Sequence, residues 1–136
     1  MRPAALVSRR RRALALVGGA IVLLSGCSGV QRPEVEHVAT TFDDASGDPG
    51  ARCDLLARAT LAALERQQSA PCAEAIQELP LKGGAVSAVE IWGGGAQVRL
   101  SGDTLFLTET TAGWRVVAAG CTAHGDAPYD CEVEGP

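Results

Sequence analysis

The chain has 136 residues, of which 12 are basic and 16 acidic, giving a formal net charge of −4 with 46% hydrophobic and 4% aromatic residues. That length suits one small domain with a modest core. The acidic balance excludes nucleic acid and anionic headgroups as electrostatic partners.

Arg2 and the block Arg9, Arg10, Arg11 and Arg12 precede an apolar-to-small run from Ala13 to Leu24. Twelve such residues match the core of a secretory signal and fall short of the roughly 20 that span a bilayer. Four consecutive arginines would also make a poor start for a buried helix. Directly after the run, Leu24-Ser25-Gly26-Cys27 resembles the lipobox of bacterial lipoproteins. The resemblance implies cleavage before Cys27 and a diacylglycerol on its thiol, with palmitate-type chains; two or more acyl chains give stable anchoring where one does not. Ser8-Arg9-Arg10 also fits a twin-arginine export signal. We therefore read residues 1–26 as a signal peptide, 27–33 as a lipid-anchored tether and 34–136 as one domain on the extracytoplasmic face of the cell membrane. Removing the signal takes five basic residues and no acid, which leaves seven basic against sixteen acidic residues and a net charge of −9.

Besides Cys27, the chain holds Cys53, Cys72, Cys121 and Cys131. An even number in an exported domain reads as two disulfides, for which three connectivities exist. Pairing Cys53 with Cys72 and Cys121 with Cys131 is favoured, because each closes a short loop within one half of the domain. Zinc competes for Cys121, His124 and Cys131, but no fourth ligand sits at a metal-like spacing, so no metal and no cofactor is expected.

Along the domain, Val35, Val38, Ala39 and Phe42 recur at helical spacing and predict a first helix from Glu34 to near Ser46-Gly47. Asp48-Pro49 reads as an N-cap followed by proline at the first helical position, opening a second helix through Cys53, Leu55, Leu56 and Ala59. Thr60 is placed to recap it, with helix continuing from Leu61 to Gln68. Ser69-Ala70-Pro71 opens a third, short helix carrying Cys72 and Ile76, and Pro80 closes the helical half. After Lys82-Gly83-Gly84 the period changes to two, predicting strands at Val86 to Trp92, Ala96 to Leu100, Thr104 to Thr110 and Trp114 to Cys121. Short glycine-containing connections leave no room for a crossover helix, so the sheet is an antiparallel meander. Two-residue turns at Gly94-Gly95, Gly102-Asp103 and either Thr111-Ala112 or Ala112-Gly113 place Val89, Ile91, Val98, Leu100, Leu105, Leu107, Trp114 and Val116 on one face. The other face collects Glu90, Trp92, Gln97, Arg99, Phe106, Thr108, Arg115 and Val117.

The fold class is thus α+β, with three N-terminal helices packed on a four-stranded antiparallel meander. Ala112-Gly113-Trp114-Arg115-Val116 resembles the Gly-Trp-basic-apolar start of a late strand in the NTF2-like, cystatin-related superfamily. That resemblance, over residues 34 to 121, implies helices wrapped against a curved sheet to form a cone, and often dimerisation through a sheet face. The tail with Pro128-Tyr129-Asp130-Cys131 lies outside it as a disulfide-held extension.

Nothing in the chain forms a recognisable catalytic set, and no enzyme activity is expected. His37 reads as a half-exposed helix residue and His124 as a solvated loop residue; Asp43-Asp44 and Glu132 with Glu134 read as ordinary ionised surface acids. The useful surface is the polar sheet face, where Trp92, Phe106, Arg99 and Arg115 form an amphipathic patch suited to an envelope protein or a second copy of the chain. The bland alternative is that Trp92 covers the glycine-rich turn and the C-terminal tail shields Phe106. Two further readings are a carrier of a small apolar ligand held inside the cone by Phe42, Leu56 and Trp114, and an extracytoplasmic enzyme using His37. Protein extracted from its own cells and weighed intact without reduction is expected to begin at acylated Cys27 and to be four hydrogens light. A mass corresponding to the unprocessed chain would overturn the anchor.

Overall fold

The computed structural model describes residues 28–136. The expected signal peptide and Cys27 lie outside the described residues. Among the described residues no helix is long and apolar enough to cross a membrane.

Helices come first and an antiparallel sheet follows. Helix α1 spans Ser28–Asp43, α2 Pro49–Asp54, α3 Arg58–Gln68 and α4 Cys72–Ala75, which runs into a 3-10 turn at Ile76–Glu78. Val35, Val38, Ala39 and Phe42 of α1 are all buried, as their spacing requires. The helix starts at Ser28 rather than Glu34, so residues 28–33 of the stretch read as a tether are helical. Its first turns are docked: Arg32 pairs with Glu36 at 3.0 Å and donates Nη2 to the Val89 carbonyl at 3.0 Å. Those contacts outweigh the amide hydrogen bond that Pro33 cannot donate.

Asp48 caps α2 as expected, its carboxylate accepting the Ala51 N–H at 2.7 Å with Pro49 at the first helical position. The helix then breaks at Leu55-Leu56-Ala57, earlier than the sequence suggests. Here the backbone joins the sheet: Val116 N–H donates to the Leu55 carbonyl at 2.8 Å, and Ala57 N–H donates to the Val116 carbonyl at 2.9 Å. Thr60 consequently caps nothing; it is buried in α3 and donates its hydroxyl to the Val117 carbonyl at 3.2 Å. The Cys53–Cys72 disulfide ties α2 to α4.

The sheet has five strands where four were expected, in the order β1(Val86–Trp92), β2(Gly95–Leu100), β3(Thr104–Thr110), β4(Gly113–Ala119) and β7(Val133–Glu134). Strand β7 comes from the tail, which pairs Ala118 with Glu134 and Ala119 with Val133 and buries Val133. Between them, β5(Thr122–His124) and β6(Ala127–Asp130) form a separate hairpin, held at its base by the Cys121–Cys131 disulfide. The tail therefore completes the sheet rather than trailing from it.

Register differs instructively from expectation. The first two hairpins turn at Gly93-Gly94 and Ser101-Gly102, since Trp92 pairs with Gly95 and Leu100 N–H bonds the Asp103 carbonyl at 2.7 Å. Each is displaced by two residues from the expected pairing, so every side chain keeps its face. The third hairpin turns at Thr111-Ala112, the first of the two alternatives the sequence offered, with Thr110 opposite Gly113. Seven of the eight predicted core-face residues are buried and Ile91 is half-buried. A bulge then leaves Val117 unpaired, because Leu107 faces Val116 while Phe106 faces Ala118.

The aliphatic face packs on the helices around Trp114 and Phe42, which are 1% and 0% exposed. Because the Cys53–Cys72 loop spans 19 residues, replacing both cysteines by alanine is expected to lower stability by about 3 kcal/mol in urea denaturation. A loss below about 1 kcal/mol would show that packing alone holds α2 against α4.

Candidate functional site

The outer sheet face carries the largest exposed aromatic residue. Trp92 closes β1 with 53% of its surface accessible, and its indole lies over Gly95, where a Cβ would stand 3.2 Å from Nε1. Beside it runs a groove of about 650 Å³ whose walls include Phe106, Val117, Pro128, Tyr129 and Pro136. Tyr129 of β6 packs edge-on against Phe106, ring centres 5.0 Å apart and planes at 76°, and its hydroxyl accepts Gln97 Nε2 at 2.9 Å. The hairpin is thereby folded over one end of the face. Tyr129 was missed as a site residue, because only the tertiary fold brings a residue 23 positions beyond Phe106 back over it.

The four residues expected to form one patch separate. Trp92 and Phe106 share the groove. Arg99 is exposed on β2 and pairs with Glu90 at 2.8 Å, a solvated contact that contributes little to stability. Arg115 is half-buried and turns Nη1 back to the Trp114 carbonyl at 2.8 Å. Neither arginine is among the groove walls. The bland alternative is right in its particulars, since Trp92 covers Gly95 and the tail shields Phe106, yet both rings still border open space.

On the inner side Phe42 and Trp114 have almost no accessible surface, whereas Leu56, 4% exposed, borders a recess of about 490 Å³ shared with Cys53, Leu61 and Arg115. Phe42 and Trp114 do not line that recess, so the three residues do not enclose one common cavity. Cys121 and Cys131 are bonded to each other and are not zinc ligands. His37 and His124 are both exposed, His37 more so than its helix position suggested.

One acid departs sharply from expectation. Asp43, read as a surface carboxylate, is 3% exposed, and neither of its side-chain oxygens has a hydrogen-bond partner. It ends α1 against the Lys82-Gly83-Gly84 loop, on the wall of a polar pocket of about 390 Å³ shared with Thr40, Asp44 and Ala45. Burial first, then the facing Asp103 carboxyl, push Asp43 up to about 7. Opposing them are the Gly83 amide and the Arg52 guanidinium. Arg52 is itself buried, donating Nε to the Phe42 carbonyl at 2.7 Å and lying 5.9 Å from the centre of the Phe42 ring. Asp44, next in sequence, closes a local turn: it accepts the Ser46 hydroxyl at 2.6 Å and the Ser46 amide at 2.9 Å, which hold it below the usual carboxylate range.

No protein-family model, no curated protein and no solved structure matches the chain. The groove therefore has to be tested from its own geometry. Tyr129→Ala removes both the ring contact with Phe106 and the bond to Gln97, so hydrogen exchange in β5 and β6 should rise at least tenfold while β2 and β3 stay protected. Equal protection in the variant would mean that the Cys121–Cys131 bridge alone positions the hairpin.

Proposed function

We propose that this chain is a lipid-anchored, extracytoplasmic binding module with an NTF2-like cone, and that it engages another envelope protein, or a second copy of itself, through the outer sheet face. The observation that carries this reading is Trp92, an exposed indole at the mouth of an aromatic-lined groove. Large aromatic anchors beside a preformed recess are the usual energetic centre of a protein interface. Pro128, Tyr129 and Phe106 offer rigid apolar contact at small entropic cost, and Glu134 adds an acidic wall.

Two further features support the setting. The order of helices before an antiparallel sheet agrees with the cone resemblance over most of the domain. At the other end, Val30 is 83% exposed in the first turn of α1, three residues beyond Cys27. An apolar side chain placed there suits a helix that begins at the lipid surface with no spacer.

Trp92→Ala is expected to weaken self-association or partner crosslinking at least tenfold while changing the unfolding free energy by less than about 1 kcal/mol, as for other exposed positions. Sedimentation velocity reads the first alternative and crosslinking in intact cells the second. Unchanged behaviour in both would remove the groove as the binding face.

A further inference from the structure

The Asp43 carboxyl has no role in the groove and sits at the opposite, polar end of the helical layer. Three elements converge on it: the end of α1, the Lys82–Gly84 loop, and the turn leading into β3. Asp103 from that turn accepts the Lys82 N–H at 2.5 Å, and Gly102 N–H bonds the Gly83 carbonyl at 3.0 Å. The loop backbone is therefore fastened to the turn, and the turn presents a second carboxyl to Asp43. Gly83, at a φ of +59°, lies close enough for a Cβ there to meet the Asp43 carbonyl at 3.3 Å.

Two carboxyls facing each other need a positive partner between them. Arg52 is the nearest fixed cation, but it forms no ion pair with Asp43 and its Nε is committed to Phe42. Lys82 and Asp44 complete the charged groups around the pocket. Neither Asp43 oxygen has accessible surface, so a metal ion or an ammonium group has no approach to them. A proton can pass to Asp43 through the half-exposed Asp103 carboxyl that faces it.

We infer that Asp43 and Asp103 form a proton-binding latch, in which a proton on Asp43 is donated to Asp103 and holds the Lys82–Gly84 loop against the end of α1. Loss of that proton leaves the buried Asp43 charge facing the half-buried Asp103 carboxylate, and the loop is the element free to move away. The direction of the effect is fixed by linkage. The folded value of Asp43 lies above its ordinary 3.8, so between pH 4 and about 7 the folded chain keeps a proton that the unfolded chain releases. Stability from this group is therefore full below pH 4, falls as the pH rises to about 7, and is flat above; the full shift corresponds to about a thousandfold in the folding equilibrium.

Asp43→Asn keeps the shape and supplies a permanent N–H donor toward Asp103. In the full chain, the stability difference between this variant and the wild type should grow in favour of the variant from pH 4 to pH 8, by at least tenfold in the folding equilibrium. Amide exchange at Lys82 and Gly83, corrected for its intrinsic pH dependence, should rise at least tenfold from pH 6 to pH 8 in the wild type and stay level in Asp43→Asn. Carboxyl carbon shifts of the wild type supply an independent reading should the variant fail to fold. Titration of Asp43 near 7 with loosening of the loop supports the latch. Titration near 4, a pH-independent stability difference, or unchanged loop protection across the titration overturns it.

Discussion

Strand β4 lies inside the molecule, and its backbone must be hydrogen-bonded along both edges. Strand β3 satisfies one edge along its length. The other is completed by pieces from distant parts of the chain: Leu55 and Ala57 bond Val116, Gly135 N–H and the Thr60 hydroxyl both reach the Val117 carbonyl, and Val133 and Glu134 pair with Ala119 and Ala118. A buried amide or carbonyl left unpaired costs about 1 to 3 kcal/mol, so an open β4 edge would consume much of the stability of a domain this size. This requirement accounts for several features at once. It breaks the helical stretch at Leu56, turns Thr60 from a cap into a donor, and draws the tail back as a fifth strand.

With β4 flanked on both sides, the sheet is edged by the two-residue β7 and by β1, the longer of the two. Arg32 occupies the Val89 carbonyl there, and Glu90 with Arg99 charges the outer surface beside it. Charged side chains on an edge strand discourage pairing with another chain. The two disulfides act on either side of the same arrangement. Cys53–Cys72 holds the helices that cover the inner face, and Cys121–Cys131 holds the hairpin whose Tyr129 covers part of the outer one. Groove and core are thus separated by one layer of sheet, so the groove can be altered at Trp92 without touching Trp114.

The polar end of the domain follows a different rule. Asp43 and Arg52 are both buried beside Phe42, yet they do not form an ion pair. A buried carboxylate without a cation is stable only when neutralised, which is why its environment pushes the group toward holding a proton. In sequence Asp43 is indistinguishable from Asp44, its neighbour. Asp43 ends α1 on its buried side, whereas Asp44, the first residue past the helix, faces solvent and Ser46, so one step along the chain separates their chemistries.

Periodicity determined the helix carrying Val35 and Phe42, the four long strands and the aliphatic face from Val89 to Val116, and the Asp48-Pro49 dipeptide determined the cap, because those depend on neighbours along the chain. Short separation along the chain likewise carried the cysteine pairing. Hairpin register survived a two-residue displacement because a period of two leaves each side chain on its own face. What only the tertiary structure decided involves residues far apart in sequence. The break at Leu56, the fifth strand at Val133, the cover of Tyr129 over Phe106, and the meeting of Asp43 with Asp103 each answer a need for hydrogen bonds, packing or charge created elsewhere in the fold. No local pattern encodes such a need, since it arises only once the distant segments meet.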